Sequence, residues 1–265
     1  MQMEWFQALI LGLIQGLTEF LPVSSSGHLI LGRELFGIES GDNLVFEIAV
    51  HTATVLSTIT VFRKEIWQLL SKFFKFQWNE ETQYIVKICI SMIPVLIVGV
   101  FFKDTVEGFF GNGILLVGIM LLVTAILLLL SQLIRFQERK SIGYGSAFVV
   151  GLAQAVAVLP GLSRSGTTIA TGLLLGVKKE EVARFSFLMV LIPILGEAFL
   201  DLVGGEFSAA TSGIPVSSLA IGFSAAYLSG LAACRFMIEI VKRAKLTWFS
   251  IYCAIVGGIA IVASL

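Results

Sequence analysis

A run of residues near the start of the chain is written again past its midpoint, and this recurrence constrains the fold more than any other feature. Ala8-Leu-Ile-Leu-Gly-Leu-Ile-Gln15 is matched by Ala147-Phe-Val-Val-Gly-Leu-Ala-Gln154. Leu21-Pro22 with Ser24-Ser25-Ser26-Gly27 is matched by Leu159-Pro160 with Ser163-Arg164-Ser165-Gly166. With a one-residue gap at the proline, the same offset pairs Gly37 with Gly176 and Phe46 with Phe185. Two copies of one structural unit follow, repeat one over about 5–134 and repeat two over about 144–265 of a single membrane domain, 1–265.

Hydropathy says what each unit contains. Hydrophobic residues make up 57% of the chain and charged residues 14%, with a mean hydropathy of +0.94, which describes a polytopic membrane protein and no soluble domain. Trp5–Phe20 and His28–Gly37 are each too short to cross a hydrocarbon core of about 30 Å, and a polar break separates them. Together they predict a re-entrant helical hairpin. Asn43–Phe62, Tyr84–Phe102 and Gly113–Ile134 predict spans, with an interfacial helix around Trp67 and the aromatics of 73–78. The second copy predicts another hairpin, then spans over Glu181–Val203, Pro215–Ile238 and Leu246–Leu265. The fold class is therefore all-α, each repeat being one hairpin plus three transmembrane helices.

That count dictates topology. A hairpin returns to its own side and three spans do not, so the second repeat starts from the opposite face and the repeats are inverted. Their polar loops should then meet near the midplane, as at the repeat interfaces of transporter folds. Lys and Arg crowd the loops at 63–83, 135–141, 177–180 and 239–245, whereas the opposite loops hold Arg33 and Lys103. The positive-inside rule makes the crowded side cytoplasmic, so both termini and the mouth of the first hairpin face outward.

Several classes of function are set aside by composition. Net charge is zero, so bulk electrostatics imply no nucleic-acid partner. Cys89, Cys234 and Cys253 stand alone in apolar runs and read as packing residues. The first residues lack the basic flank of a signal peptide, and this segment is expected to remain in the mature protein.

The chemistry is confined to the two breaks. Gln15 and Glu19 are four apart, so they share a helix face and can hold one ligand or metal. Pro22 ends that helix, and Ser24, Ser25, Ser26 and Gly27 form a hydroxyl-rich loop opening onto a helix near His28, an arrangement suited to an anion. Read as a plain turn capped by His28, it would leave polar groups in hydrocarbon without a task. The second loop adds Arg164 between Ser163 and Ser165, with Thr168 one turn on. A guanidinium among hydroxyls and free N–H groups suits a phosphate dianion. The alternative is a buried Glu19–Arg164 pair that only fixes the hairpins, although such a pair scarcely repays its desolvation. Glu47 is a candidate support for a metal site, and His51, four residues on, is read as satisfying a local hydrogen bond. Glu197 and Asp201 read as a solvated helix end, Arg184 and Arg235 as snorkelling residues, and Gly12-x-x-x-Gly16 as helix packing.

Gln15-Gly-Leu-Thr-Glu-Phe-Leu-Pro-Val-Ser-Ser-Ser-Gly-His28 and Pro160-Gly-Leu-Ser-Arg-Ser-Gly-Thr-Thr168 resemble the two signature regions of the bacterial undecaprenyl-diphosphatases of the bacitracin-resistance type. The resemblance covers nearly the whole chain. It implies removal of the terminal phosphate from undecaprenyl diphosphate, which recycles the carrier lipid of peptidoglycan synthesis. It also implies a divalent cation, Mg²⁺ or Ca²⁺, and a site open to the periplasmic side of the bacterial inner membrane. On that likeness Glu19 matches the acidic metal position and Ser25 and His28 the polar residues nearest the phosphate. Ser163, Arg164 and Thr168 match the second phosphate-binding set. Gln15 stands where many members have a second glutamate, so Glu19 and the diphosphate oxygens are the expected cation ligands.

The expected mechanism has the cation and Arg164 neutralise the transferred phosphoryl group, with Gln15, Ser24, Ser26, Ser163, Ser165 and Thr168 completing the substrate cradle. Ser25 is the first choice of nucleophile and His28 of proton acceptor or acid. Attack by His28 or by water stays open. The expected partners are the polyprenyl diphosphate lipid and the bilayer, with a homodimer left open. The competing reading is a transporter of a phosphorylated polyprenyl lipid, which would need the cradle and no nucleophile.

Overall fold

The computed structural model describes residues 3–38, 44–110, 113–134, 141–196, 214–243 and 246–265. They form an all-helical membrane protein. In chain order the helices are α1 (Trp5–Phe20), α2 (Ser25–Leu35), α3 (Leu44–Val61), α4 (Arg63–Phe73), α5 (Glu80–Phe101) and α6 (Lys103–Phe110). They continue as α7 (Gly113–Leu133), α8 (Tyr144–Val156), α9 (Arg164–Leu174), α10 (Lys179–Met189), α11 (Val216–Arg243) and α12 (Thr247–Ala263). Glu197, Asp201, Arg135, Arg139, Lys140 and Lys245 lie outside the described residues, as does the part of the predicted Glu181–Val203 span beyond 196.

Among the described residues α5, α7 and the 216–237 part of α11 are long and apolar enough to cross a membrane. Helices α3 and α4 meet that measure of length and hydropathy only together, across a 74° bend. Helix α4 buries none of its residues and exposes Trp67, and Lys72 pairs with Glu81 at the start of α5. A cationic, aromatic helix of this kind sits at a membrane interface. Helix α12 has 17 residues, about 25 Å at 1.5 Å per residue, and reads as a short apolar helix.

Three boundaries differ from the sequence reading, each for a local reason. Helix α2 starts at Ser25 and not near His28, because the Ser24 hydroxyl caps it by accepting from Gly27 N–H. The turn at Lys103–Phe110 is a short helix. The span after the second hairpin is interrupted at Val190, with helical residues resuming over 191–196. Pro193 explains this interruption, since its ring removes a donor and clashes with the carbonyl four residues before it.

Packing links each repeat to the other. Hairpin helix α1 lies along α11 of the second repeat, and its counterpart α8 lies along α5 of the first. Both contacts use the small residue that the repeat aligns. A Cβ on Gly12 would stand 2.3 Å from Gly222 O, and one on Gly151 would stand 2.3 Å from Ser91 O. Helices α7 and α12 meet through Gly118 and Gly257. Each hairpin also closes on itself, Gly32 of α2 lying against Leu11 and Ile14 of α1, and α9 against α8. Phe187 of α10 packs edge-on against Phe20 at 6.0 Å and tilted against Phe62 at 6.3 Å, which anchors α1 and the α3–α4 junction to α10.

Candidate active site

The two chain breaks meet inside this bundle, and they are built alike down to their hydrogen bonds. In the first, Val23 N–H turns back to Leu21 O at 2.8 Å and Ser24 adopts a φ of 71°. Ser24 Oγ then accepts from Gly27 N–H at 3.2 Å. In the second, Ser163 Oγ accepts from Gly166 N–H at 3.0 Å. The hydroxyl two residues beyond each cap stands 3.4 Å from it, Ser26 in one loop and Ser165 in the other.

The loops are locked back to back. Ser165 Oγ donates to Leu21 O at 3.0 Å, and Ser163 N–H donates to Thr124 Oγ1 of α7 at 3.0 Å. Gly27 faces Gly161, whose φ of 91° and place against Val117 O leave no room for a Cβ. The N-termini of α2 and α9 thus open on one polar cleft of about 280 Å³, lined by Thr18, Glu19, Ser24, Ser25, Ser26, Ser163, Arg164 and Ser165. Helix N-termini present free N–H groups and positive dipole ends, so two of them make a strong anion site.

Glu19 is the centre of the cleft, with only 8% of its side chain exposed. Its Oε2 accepts from Ser25 Oγ at 2.5 Å and from Gln15 Nε2 at 2.9 Å, and His51 Nε2 stands 4.0 Å from the same oxygen. Arg164 Nη2 is 3.7 Å from Oε1. That separation is a charge contact and no hydrogen bond, so the guanidinium keeps its donors for a ligand. The pair is an attraction that can open.

A second cavity adjoins the first. Enclosing about 410 Å³ of space that is partly open, it is lined by Phe20, Val55, Phe187, Val190, Leu191 and Ile194 with Thr54, Thr58 and Ser186 among them, and it shares Glu19, Arg164 and Ser165 with the polar cleft. One ion pair therefore borders a polar chamber on one side and an apolar chamber on the other.

The structure gathers Gln15, Glu19, Ser25, Arg164 and the loop hydroxyls of Ser24, Ser26, Ser163 and Ser165. Thr168 points elsewhere, its hydroxyl 2.6 Å from Ser186 of α10 and bonded to the Arg164 carbonyl at 2.8 Å. His28 is outside the lining of the cleft, with its ring nitrogens on Ser24 O and on Tyr252 of α12. Glu47 pairs with Arg33 of α2. His51 makes the expected local bond, Nδ1 to Glu47 O at 2.9 Å, and in addition turns Nε2 toward Glu19. Thr124 and Tyr252 belong to the surroundings of the site and had no signal in the sequence beyond being hydroxyls in apolar helices.

Among the described residues no group of three or more His, Cys, Asp and Glu side chains could hold a metal. The oxygens fitted to a hard cation are Glu19 Oε1 and Gln15 Oε1, the latter buried without a hydrogen-bond partner. They are too few alone, so a cation here would also need oxygens from the substrate.

Comparison with known proteins covers both loops. The family described as bacitracin resistance protein BacA matches residues 8–259. A protein of Bacteroides fragilis named undecaprenyl-diphosphatase is 60% identical over 265 residues, covering 99% of each chain. Proteins of the same name from Parabacteroides distasonis and Carboxydothermus hydrogenoformans are 59% identical over 99% of each chain and 42% identical over 96% of this chain and 95% of theirs. With a family match across almost its full length, and with both polar loops inside it, this chain belongs to the bacitracin resistance protein BacA family.

Proposed function

We propose that the protein removes the terminal phosphate of undecaprenyl diphosphate and returns the monophosphate carrier lipid. One observation carries this reading: two helix N-termini, a guanidinium with unused donors and a carboxylate-bound serine converge on one cleft whose neighbour is apolar. In this reading the diphosphate enters the polar chamber and the first isoprene units of the tail enter the adjoining one. The names of the similar proteins support the same substrate.

In the proposed mechanism Ser25 Oγ attacks the terminal phosphorus, and its proton passes to Glu19 Oε2, with which it is already hydrogen-bonded. The bond from phosphorus to the bridging oxygen breaks, and undecaprenyl phosphate departs. Water then cleaves the phosphoserine. Arg164 and the N–H groups at the starts of α2 and α9 stabilise the equatorial oxygens during both displacements. A divalent cation, Mg²⁺ or Ca²⁺, held by Glu19 Oε1, Gln15 Oε1 and substrate oxygens, would supply further charge neutralisation.

The repeats in this reading are inverted, a view supported by the matched loops and by the crossed pairing of α1 with α11 and α8 with α5. Both termini and the cleft face the periplasmic side of the inner membrane, as the distribution of Lys and Arg suggests.

The test is phosphate release from undecaprenyl diphosphate by the detergent-purified protein, with and without EDTA, beside Ser25→Ala and Arg164→Ala. Release by the wild type that EDTA stops is expected, with both variants reduced by at least about 10³-fold. A wild type that binds the lipid and releases nothing in any divalent metal would overturn the hydrolase and leave a carriage site for a phosphorylated lipid.

A further inference from the structure

His28 has an imidazole suited to moving protons, yet its bonds lead away from the chemistry. Nδ1 lies 2.7 Å from the Ser24 carbonyl oxygen, and Nε2 lies 2.8 Å from the hydroxyl of Tyr252 on α12. The two rings stack, with centroids 5.5 Å apart and planes within 8°. A carbonyl only accepts, so Nδ1 carries the hydrogen. In the neutral ring Nε2 is then an acceptor, and the Tyr252 O–H donates to it. Both nitrogens are therefore occupied, while the Ser25 hydroxyl donates to Glu19 at 2.5 Å.

The bond to Ser24 falls on the one strained peptide of the site. Ser24 has a φ of 71°, a region that a non-glycine residue holds only where its surroundings over-determine it. Its carbonyl direction sets the path of the backbone into Ser25. We infer that His28 and Tyr252 are positioning residues: Tyr252 holds the orientation of His28, and the His28 ring adds a second donor, beside the His28 backbone N–H at 3.2 Å, on the Ser24 carbonyl, fixing the peptide that keeps Ser25 against Glu19. Helix α12 thereby reaches the serine through two hydrogen bonds, Tyr252 to His28 across 224 positions of sequence and His28 to Ser24, and the peptide bond into Ser25.

The experiment uses the full chain in detergent and measures kcat and KM for undecaprenyl diphosphate, an assay that rests on the hydrolase reading. The variants are Tyr252→Phe, His28→Asn, His28→Ala and the double variant Tyr252→Phe with His28→Asn. Asparagine offers an N–H to Ser24 O where Nδ1 does, and it cannot carry a proton. His28→Asn should keep kcat within about tenfold of wild type, whereas His28→Ala should lose about 10²-fold with little change in KM. Tyr252→Phe should lower kcat severalfold in the wild type and have no effect beside His28→Asn. Equal losses of about 10²–10⁴-fold in His28→Asn and His28→Ala are the mark of proton transfer and would overturn the inference. So would a Tyr252→Phe loss undiminished beside His28→Asn, or no loss in the wild type.

A wild type that releases no phosphate overturns the hydrolase reading alone. The inference is then decided by ¹⁵N-histidine spectra. The neutral, Nδ1-protonated ring of His28 is expected in the wild type, with an Nε2 resonance that shifts in Tyr252→Phe as the donated hydrogen bond is lost, and identical spectra overturn it.

Discussion

Ser24 combines two opposed local demands, a cap hydroxyl and a positive φ of 71°. Glycine satisfies the second and is a tolerable cap, whereas alanine satisfies neither. Ser24→Gly should therefore stay within about 1 kcal/mol of the wild type in thermal unfolding, and Ser24→Ala should be less stable than Ser24→Gly. Melting curves in one detergent decide this, and an alanine variant at least as stable as the glycine one would show that the backbone carries no strain. At this scale Glu19, Ser25 and Arg164 were legible because polar groups in aliphatic sequence stand out against their surroundings. Tyr252 and Thr124 were not, since a contact between residues far apart in sequence has no spacing to betray it. Ser25 and His28 are three apart and were read as partners, but helix α2 starts at Ser25 and turns His28 toward α12.

Helix α8 carries two glycines with opposite duties. Gly151 presses on Ser91 O of α5, while Gly145 has open space around it. Gly151→Ala should push the helices apart and lower stability by about 1–3 kcal/mol. Gly145→Ala, in the same helix, should be neutral or stabilising by up to about 1 kcal/mol through helix propensity. Thermal unfolding of the two variants checks the pair, and equal effects would refute the close approach of α5 and α8. Element boundaries were legible where one residue dictates them, as Pro22 does for α1. The break at Val190 was hidden because Pro193 lies in a run whose hydropathy continues through it. Hydropathy reports burial in lipid and says nothing of a lost backbone donor.

The crossed packing makes the halves interdependent. Helix α1 finds its partner in α11 and α8 finds its partner in α5, so either repeat alone leaves a glycine-lined helix face uncovered. Fragments 1–140 and 141–265 expressed singly should be degraded, and their co-expression should restore phosphate release from undecaprenyl diphosphate in membranes. Accumulation of a stable single fragment would contradict that interdependence. The recurrence of 8–15 at 147–154 is plain in the sequence, and the two polar loops that follow these runs line one cleft. Which helix of one repeat covers which helix of the other is not plain there, because long aliphatic faces are interchangeable in composition and are sorted by where glycines permit close approach. Among the described residues Glu19 and Arg164 are also the only charged side chains lining either chamber, and their formal charges cancel. Glu19 therefore limits how tightly the two helix N-termini and the guanidinium hold an anion. In the proposed reaction, free phosphate formed there would meet a guanidinium that the carboxylate can reclaim, and the end of each turnover would be an exchange of partners that clears the cleft for the next lipid.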